Sequence, residues 1–183
     1  MSRWFLMLLL ALGPACTPST PPARGTSHLE PISVAPDFSA PDETGALRKL
    51  SEFRGRPVVL YFYPKDGTPG CTREACAFRD EWQRLQATGA HVLGVSLDSV
   101  ESHAAFKKNH ALPFPLLSDT DGRLLDAYGV TRNAKGYASR TTFIIDAKGI
   151  IRRIFPEVDP AVHVQEVLAV LEAMHQQGLD RAE

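Results

Sequence analysis

The chain has 183 residues, a length that suits one domain with a full hydrophobic core. Its 20 basic and 21 acidic residues leave a formal net charge of −1, so nothing in the charge points to a nucleic-acid partner. With 44% hydrophobic and 22% charged residues, the composition is that of an ordinary globular protein and excludes a disordered chain.

Residues 1–15 are predicted to be a signal peptide. Arg3 precedes an apolar run over residues 4–12, which is shorter than the roughly 20 residues that span a bilayer. Small residues at 13–15 then precede Cys16, as in the lipobox of bacterial lipoproteins, although Gly13 stands where that pattern prefers Leu. We expect Cys16 to be lipidated and the protein to be exported, periplasmic or membrane-anchored. A plain secretory signal and a cytoplasmic protein are the alternatives.

The mature chain is predicted to have three parts. Residues 16–36 are rich in Pro, Ser and Thr and indicate an extended tether, while 37–178 form the folded domain and 179–183 a C-terminal tail. The domain opens with two short segments around the turn residues 41–45, which together predict a β-hairpin.

A buried strand is predicted at residues 58–63, where an apolar run ends at Pro64. A loop rich in Gly and Pro follows. A helical pattern then covers residues 72–86, with apolar side chains three and four positions apart. Cys71 is therefore expected where the loop becomes a helix N-terminus, at the carboxyl end of a central strand.

The rest of the chain alternates between strands and helices. This order, closing on an antiparallel hairpin, predicts an α/β domain with a central mixed sheet flanked by helices. The predicted elements are a strand at 91–97, a helix capped by Ser99 that ends near 110, an edge strand at 113–117, a short helix at 121–128, hairpin strands at 141–145 and 150–155, and a final helix capped by Asp159.

Cys71 and Cys76 are the candidates for redox chemistry. A thiol reacts as its thiolate, and the free N–H groups of a first helical turn stabilise an anion. Five residues of helix separate two Cα atoms by roughly 8–9 Å, whereas a disulfide needs them within about 7 Å. The pair can therefore close only if the helix unwinds, which favours redox cycling over two cysteines that merely pack as small apolar residues.

Three stretches resemble the peroxiredoxins of the bacterioferritin comigratory protein (peroxiredoxin Q) group, and the likeness covers roughly residues 30–175. The resemblance implies a thioredoxin-like fold and reduction of hydroperoxides by a peroxidatic cysteine, Cys71. It also implies that Cys76, on the same helix, resolves the oxidised sulfur as an intramolecular disulfide. The first stretch contains Tyr63-Pro64-Lys65-Asp66, Thr68-Pro69-Gly70-Cys71-Thr72 and Glu74-Ala75-Cys76. The second is Arg140-Thr141-Thr142-Phe143-Ile144-Ile145-Asp146. The third is Ala35-Pro36-Asp37-Phe38, followed by Leu50-Ser51.

The same resemblance assigns roles to four further residues. Arg140 is expected to hydrogen-bond the peroxidatic sulfur and the peroxide, and Pro64 to shield the thiolate from water. The Thr68 hydroxyl is expected either to accept from the peroxide or to donate to the sulfur. Glu74 resembles the glutamate that orients the arginine, although an acid in the first helical turn would also be favourable there without such a role.

Other classes of function fit less well. A disulfide oxidoreductase would use Cys-x-x-Cys, and a copper-delivery protein Cys-x-x-x-Cys with a distant histidine, whereas four residues separate Cys71 from Cys76. A non-catalytic interaction domain would leave Cys71, Thr68 and Arg140 unexplained together. The six histidines show no metal-ligand spacing, so we expect no metal and no cofactor. The expected partners are a hydroperoxide and a thioredoxin-like reductant, and a monomer suffices.

Overall fold

The computed structural model describes residues 32–181. The predicted signal peptide, Cys16 and most of the predicted tether lie outside these residues, and so do the last two residues of the predicted tail. Within 32–181, no helix has the length and apolar character needed to cross a bilayer.

Eight strands, five α-helices and one short 3-10 helix make up the described part of the chain. The strands are β1 (Ser33–Val34), β2 (Ser39–Pro41), β3 (Leu47–Lys49), β4 (Val58–Phe62), β5 (His91–Ser96), β6 (Leu116–Ser118), β7 (Thr141–Ile145) and β8 (Ile150–Phe155). The helices are α1 (Pro69–Asp80), α2 (Trp82–Ala87), α3 (Val100–His110), α4 (Arg123–Ala127) and α5 (His163–Gln176), with the 3-10 helix at Leu50–Phe53.

The central sheet is mixed, as predicted. Its six strands lie in the order β1-β8-β7-β4-β5-β6, with β4 parallel to β5 and antiparallel to β7. Every residue of β4 and β7 is buried, because helices or loops cover both faces of the sheet. The predicted N-terminal hairpin is formed by β2 and β3, which pair as a separate two-stranded sheet.

Alternate residues of β4 supply two hydrophobic clusters, one on each side of the sheet. Val59 and Tyr61 pack in the cluster that contains α1, α2 and α5. Leu60 and Phe62 pack in the other, which contains α4 and the N-terminal hairpin. This alternation follows from the two-residue period of a strand.

The folded domain begins before the predicted boundary at residue 37. Ser33 and Val34 form β1, which pairs with Ile151 and Ile150 of β8, and Ala35 is buried. The polar, proline-containing composition of residues 16–36 concealed this strand because β1 is only two residues long. Its ladder hydrogen bonds come from the backbone and need no apolar pattern.

Two other boundaries differ from the prediction at the C-terminal end. The last helix begins at His163 rather than directly after Asp159, whose carboxylate accepts from the Ala161 N–H and caps a preceding turn. The predicted tail also starts inside the fold. Leu179 packs against the core, and its carbonyl accepts from the Ala147 N–H at 3.2 Å.

The single helix predicted for residues 72–86 starts earlier and is interrupted. It begins at Pro69, whose missing N–H and fixed φ suit the first helical position. It then breaks at Glu81, where φ −91° and ψ 11° leave the helical range and separate α1 from α2. Both cysteines therefore lie in α1, which has twelve residues and is shorter than the predicted helix.

Candidate active site

Cys71 lies in the first turn of α1. Thr68 is the N-cap residue, so Cys71 is the third residue of the helix, where backbone N–H groups have no partner within the helix. No acidic residue occupies this turn. The thiol is 1% exposed, so the positive end of the helix acts on it with little screening by water.

Arg140 connects Cys71 to Glu74. One guanidinium nitrogen (Nη2) lies 3.3 Å from Cys71 Sγ, and the other (Nη1) donates to Glu74 Oε2 at 2.6 Å. Sheet register explains the approach: Thr141, the first residue of β7, pairs with Phe62, the last residue of β4. Arg140 therefore starts beside the loop that carries the cysteine, although it is 69 positions away in sequence.

The Glu74 carboxylate is buried and only partly satisfied. Its side chain is 1% exposed, and Oε1 has no hydrogen-bond partner among the described residues. Burial raises the pKa of Glu74 to about 7, against the opposing effect of Arg140, which favours the ionised form. Glu74 lies beyond the first turn of α1, so its contact is with Arg140 and not with the free N–H groups of the helix start.

Pro64 and Thr68 belong to the segment that joins β4 to α1. Thr68 Oγ1 donates to the Lys65 carbonyl at 3.0 Å, so its proton is used within the loop. Of the two roles predicted for this hydroxyl, donation to the sulfur is therefore not seen, and acceptance from a substrate stays a prediction. Pro64 and Arg140 both line an open groove of about 430 Å³ that continues along residues 156–159.

Cys76 lies farther along α1 and is half-buried, and both it and Cys71 are free thiols. Because the two residues occupy one continuous helix, the helical geometry keeps them apart, as predicted from their spacing.

A group of polar residues beneath the loop was missed by the sequence analysis. The Asp66 carboxylate accepts from Tyr63 OH at 2.7 Å and from Ser102 Oγ at 2.8 Å, and it lies 2.8 Å from His103 Nδ1. Asp66 belongs to the motif already quoted, but that motif does not show where its side chain points. His103 was tested only for metal-ligand spacing, and no local pattern joins it to a loop 37 positions earlier.

Gly70 was also missed. A Cβ atom at this position would lie 2.7 Å from Arg140 Nη2, the nitrogen that contacts the sulfur. Its φ is not positive, so glycine is needed here for close approach and not for backbone conformation. The sequence shows a glycine directly before the candidate cysteine, but it does not show that Arg140 lies against this glycine.

This arrangement can stabilise a thiolate and bind a peroxide oxygen beside it. The guanidinium has N–H groups that can bond both the sulfur and the oxygen of a bound peroxide. Charge interactions are strong around this sulfur because it is buried. Within residues 32–181, no group of three His, Cys, Asp or Glu side chains is arranged to hold a metal ion.

Comparison with known protein families shows which family the chain belongs to. The model of the AhpC/TSA family matches residues 32–154. The chain belongs to the AhpC/TSA family. It is 48% identical over 143 residues to the peroxiredoxin bcp of Coxiella burnetii, an alignment that covers 75% of this chain and 95% of that protein. It is also 42% identical over 144 residues to the chloroplastic peroxiredoxin Q of Oryza sativa subsp. japonica, covering 78% of this chain and 66% of the longer rice protein.

A solved structure gives the same result for the fold. The bacterioferritin comigratory protein of Xanthomonas campestris superimposes with a TM-score of 0.74 at 34% identity, covering 79% of this chain and 98% of that one. The thioredoxin-like fold expected from the resemblance is thus confirmed. The chain is a peroxiredoxin of the bacterioferritin comigratory protein and peroxiredoxin Q group, and as such a thiol-dependent peroxidase.

Proposed function

We propose that Cys71 is the peroxidatic cysteine and that Arg140, Thr68 and Pro64 form its peroxide pocket. The observation that carries the proposal is the 3.3 Å contact between Arg140 Nη2 and the buried Cys71 Sγ in the first turn of α1. Hydrogen peroxide and organic hydroperoxides are the proposed substrates. The solved structures of the Xanthomonas relative concern its alkyl peroxide reduction activity, and the open groove beside Pro64 leaves room for an organic substituent.

In the first step, the Cys71 thiolate attacks the terminal peroxide oxygen. An S–O bond forms, the O–O bond breaks, and the leaving oxygen takes a proton to become water or an alcohol. The sulfur is oxidised by two electrons to a sulfenic acid. Arg140 offsets the negative charge that spreads over sulfur and oxygen in the transition state, and Thr68 Oγ1 accepts a hydrogen bond from the substrate.

In the second step, Cys76 attacks the Cys71 sulfenic acid. An S–S bond forms, the S–O bond breaks, and water leaves with the thiol proton. Since both thiols belong to α1, the disulfide is intramolecular once the helix unwinds, and a monomer suffices. A thioredoxin-like dithiol would then reduce the disulfide and restore both thiols.

Replacing each cysteine by serine tests these two roles. Cys71→Ser should abolish hydrogen peroxide consumption supported by a thioredoxin system. Cys76→Ser, the matched control on the same helix, should still form one sulfenic acid per chain and keep partial turnover with a small thiol. Wild-type turnover by Cys71→Ser would overturn the assignment. Disulfides found mainly between chains in peroxide-treated wild-type protein would overturn the intramolecular step.

We propose further that the protein is exported and held at a membrane by lipid on Cys16. The proposal is supported by the apolar run at 4–12, the small residues before Cys16, and the fact that Cys16 is the one cysteine left over after the Cys71 and Cys76 pair. Intact-mass measurement of the mature protein tests it. A mass that begins at Cys16 and includes acyl chains is expected. A mass that begins at Met1 would overturn export without affecting the peroxidase.

A further inference from the structure

His103 lies beneath the active-site loop, where both of its ring nitrogens face oxygens that accept hydrogen bonds. Nδ1 is 2.8 Å from Asp66 Oδ2, and Nε2 is 3.1 Å from the Leu117 carbonyl. A carbonyl cannot donate, and neither can an ionised carboxylate. Nε2 therefore donates to the Leu117 carbonyl, and Nδ1 is held between Asp66 Oδ2 and the Tyr63 hydroxyl, which lies 3.3 Å away.

The surroundings of Asp66 favour its ionised form. Tyr63 OH and Ser102 Oγ donate to the carboxylate in addition to His103, so two donors from α3 and one from the residue after β4 converge on it. Burial alone would raise the pKa of Asp66, but the hydrogen bond and charge of His103, with the Tyr63 and Ser102 hydroxyls, hold that pKa below its usual range.

Asp98 binds the loop backbone next to this pair. The Asp66 N–H donates to Asp98 Oδ2 at 2.9 Å, and Asp98 also accepts from Ser96 Oγ. The His103 side chain is fully buried, and that of Asp66 is 7% exposed. Asp98 is therefore the only other charged group that these contacts bring to the pair within the described residues, and it binds the loop backbone.

The Asp66 carboxylate holds the chain on both sides of Pro64 and Lys65. Tyr63 stands directly before Pro64, and Asp66 directly after Lys65, so one carboxylate fastens the two flanks. The Lys65 carbonyl in turn accepts a hydrogen bond from the Thr68 hydroxyl, so the Thr68 oxygen can accept a hydrogen bond from a substrate. A chain of contacts thus runs from His103 through Asp66 and Lys65 to Thr68.

We propose that His103, through its buried side-chain contact with Asp66, is a positioning residue that orients Pro64 and Thr68 for the reaction with peroxide. The inference rests on the peroxidase function proposed above. His103 does not touch the sulfur in this arrangement. Its loss should therefore slow the reaction that needs the oriented pocket and spare reactions that need only an accessible, ionised thiol.

The test compares two second-order rate constants of Cys71 in the reduced full chain, one with hydrogen peroxide and one with iodoacetamide. His103→Leu removes the imidazole that contacts Asp66, and the peroxide rate constant should fall about tenfold while the iodoacetamide rate constant stays within about twofold. His103→Asn keeps an N–H donor toward Asp66 and should recover most of the loss. His110→Leu, a matched control on α3 without a side-chain bond to the loop, should react with peroxide like the wild type.

The outcomes separate the proposals. An unchanged peroxide rate in His103→Leu, or an equal fall with both reagents, would overturn the positioning role. Failure of wild-type Cys71 to react with peroxide would instead overturn the proposed function. If His103→Leu does not fold, Ser102→Ala decides, because it removes only one donor to Asp66: a selective fall of about threefold supports the inference, and equal rates refute it.

Discussion

Two buried acid–base pairs flank the active-site loop, and they differ in how completely they are bonded. The Asp66 carboxylate accepts from three side chains and is paired with His103. The Glu74 carboxylate is paired with Arg140 through Oε2, while Oε1 has no partner among the described residues. A buried unpaired oxygen costs about 1–3 kcal/mol, so the helix side of the site is held less firmly than the loop side.

The difference matches what each side has to do. In the proposed mechanism, the loop that contains Pro64 and Thr68 has to keep its shape to receive a peroxide, and the hydrogen bonds of Asp66 hold that loop. Helix α1 must lose its first turns before Cys76 can reach Cys71, and Glu74 lies between the two cysteines. A fully bonded carboxylate there would oppose the unwinding that the disulfide requires.

Arg140→Lys should have the largest effect. An ammonium cannot bond Glu74 and Cys71 at once with the fixed fork of a guanidinium, so kcat/KM for hydrogen peroxide should fall by about 100-fold. Steady-state kinetics with Arg48→Lys as a matched control measures the change, because Arg48 pairs with Asp42 in the N-terminal hairpin. A full-rate Lys variant would remove Arg140 from the active site.

Gly70→Ala should reduce the peroxide rate constant by about tenfold without lowering stability. Alanine favours the helix, but its Cβ would meet Arg140 Nη2 at 2.7 Å and push the guanidinium away from the sulfur. Urea unfolding and peroxide kinetics measure the two effects separately. In an Arg140→Lys background, Gly70→Ala should add little, and fully additive losses would contradict this explanation.

Glu74→Gln should change how stability depends on pH. The pKa of Glu74 is raised from 4.5 to about 7, so between these values the folded protein keeps a proton that the unfolded chain releases. The contribution of Glu74 to stability is therefore greatest below pH 4.5 and is lost as the pH rises to 7, by about 3 kcal/mol.

Urea unfolding of Glu74→Gln and wild type at pH 5 and pH 8 measures this contribution. The variant should gain stability over the wild type as the pH rises. The difference between the two proteins is the quantity to follow, since burial of His163 lowers its pKa to about 4 and gives a pH dependence of opposite sign that both proteins share. Parallel curves would mean that Glu74 is ionised throughout.

The sequence predicted the parts of the site that local patterns determine. Strand β4, the loop and the start of α1 follow from an apolar run, Pro and Gly punctuation and helical periodicity, and these place Cys71. Arg140 was identified through the family resemblance, and the register of β7 on β4 explains its position. Asp66 and His103 were missed because their contact depends on how α3 packs beneath the loop, which neither segment encodes alone.

The interruption at Glu81 sets a limit on how far oxidation can disturb the molecule. Glu81 Oε1 accepts from Gln165 on α5 at 2.9 Å, and Oε2 accepts from Arg84 on α2 at 3.1 Å, so the junction is clamped from both sides. We therefore expect the unwinding that the proposed disulfide requires to stop at Glu81 and to leave α2 in place. On this expectation, oxidation would disturb at most the twelve residues of α1.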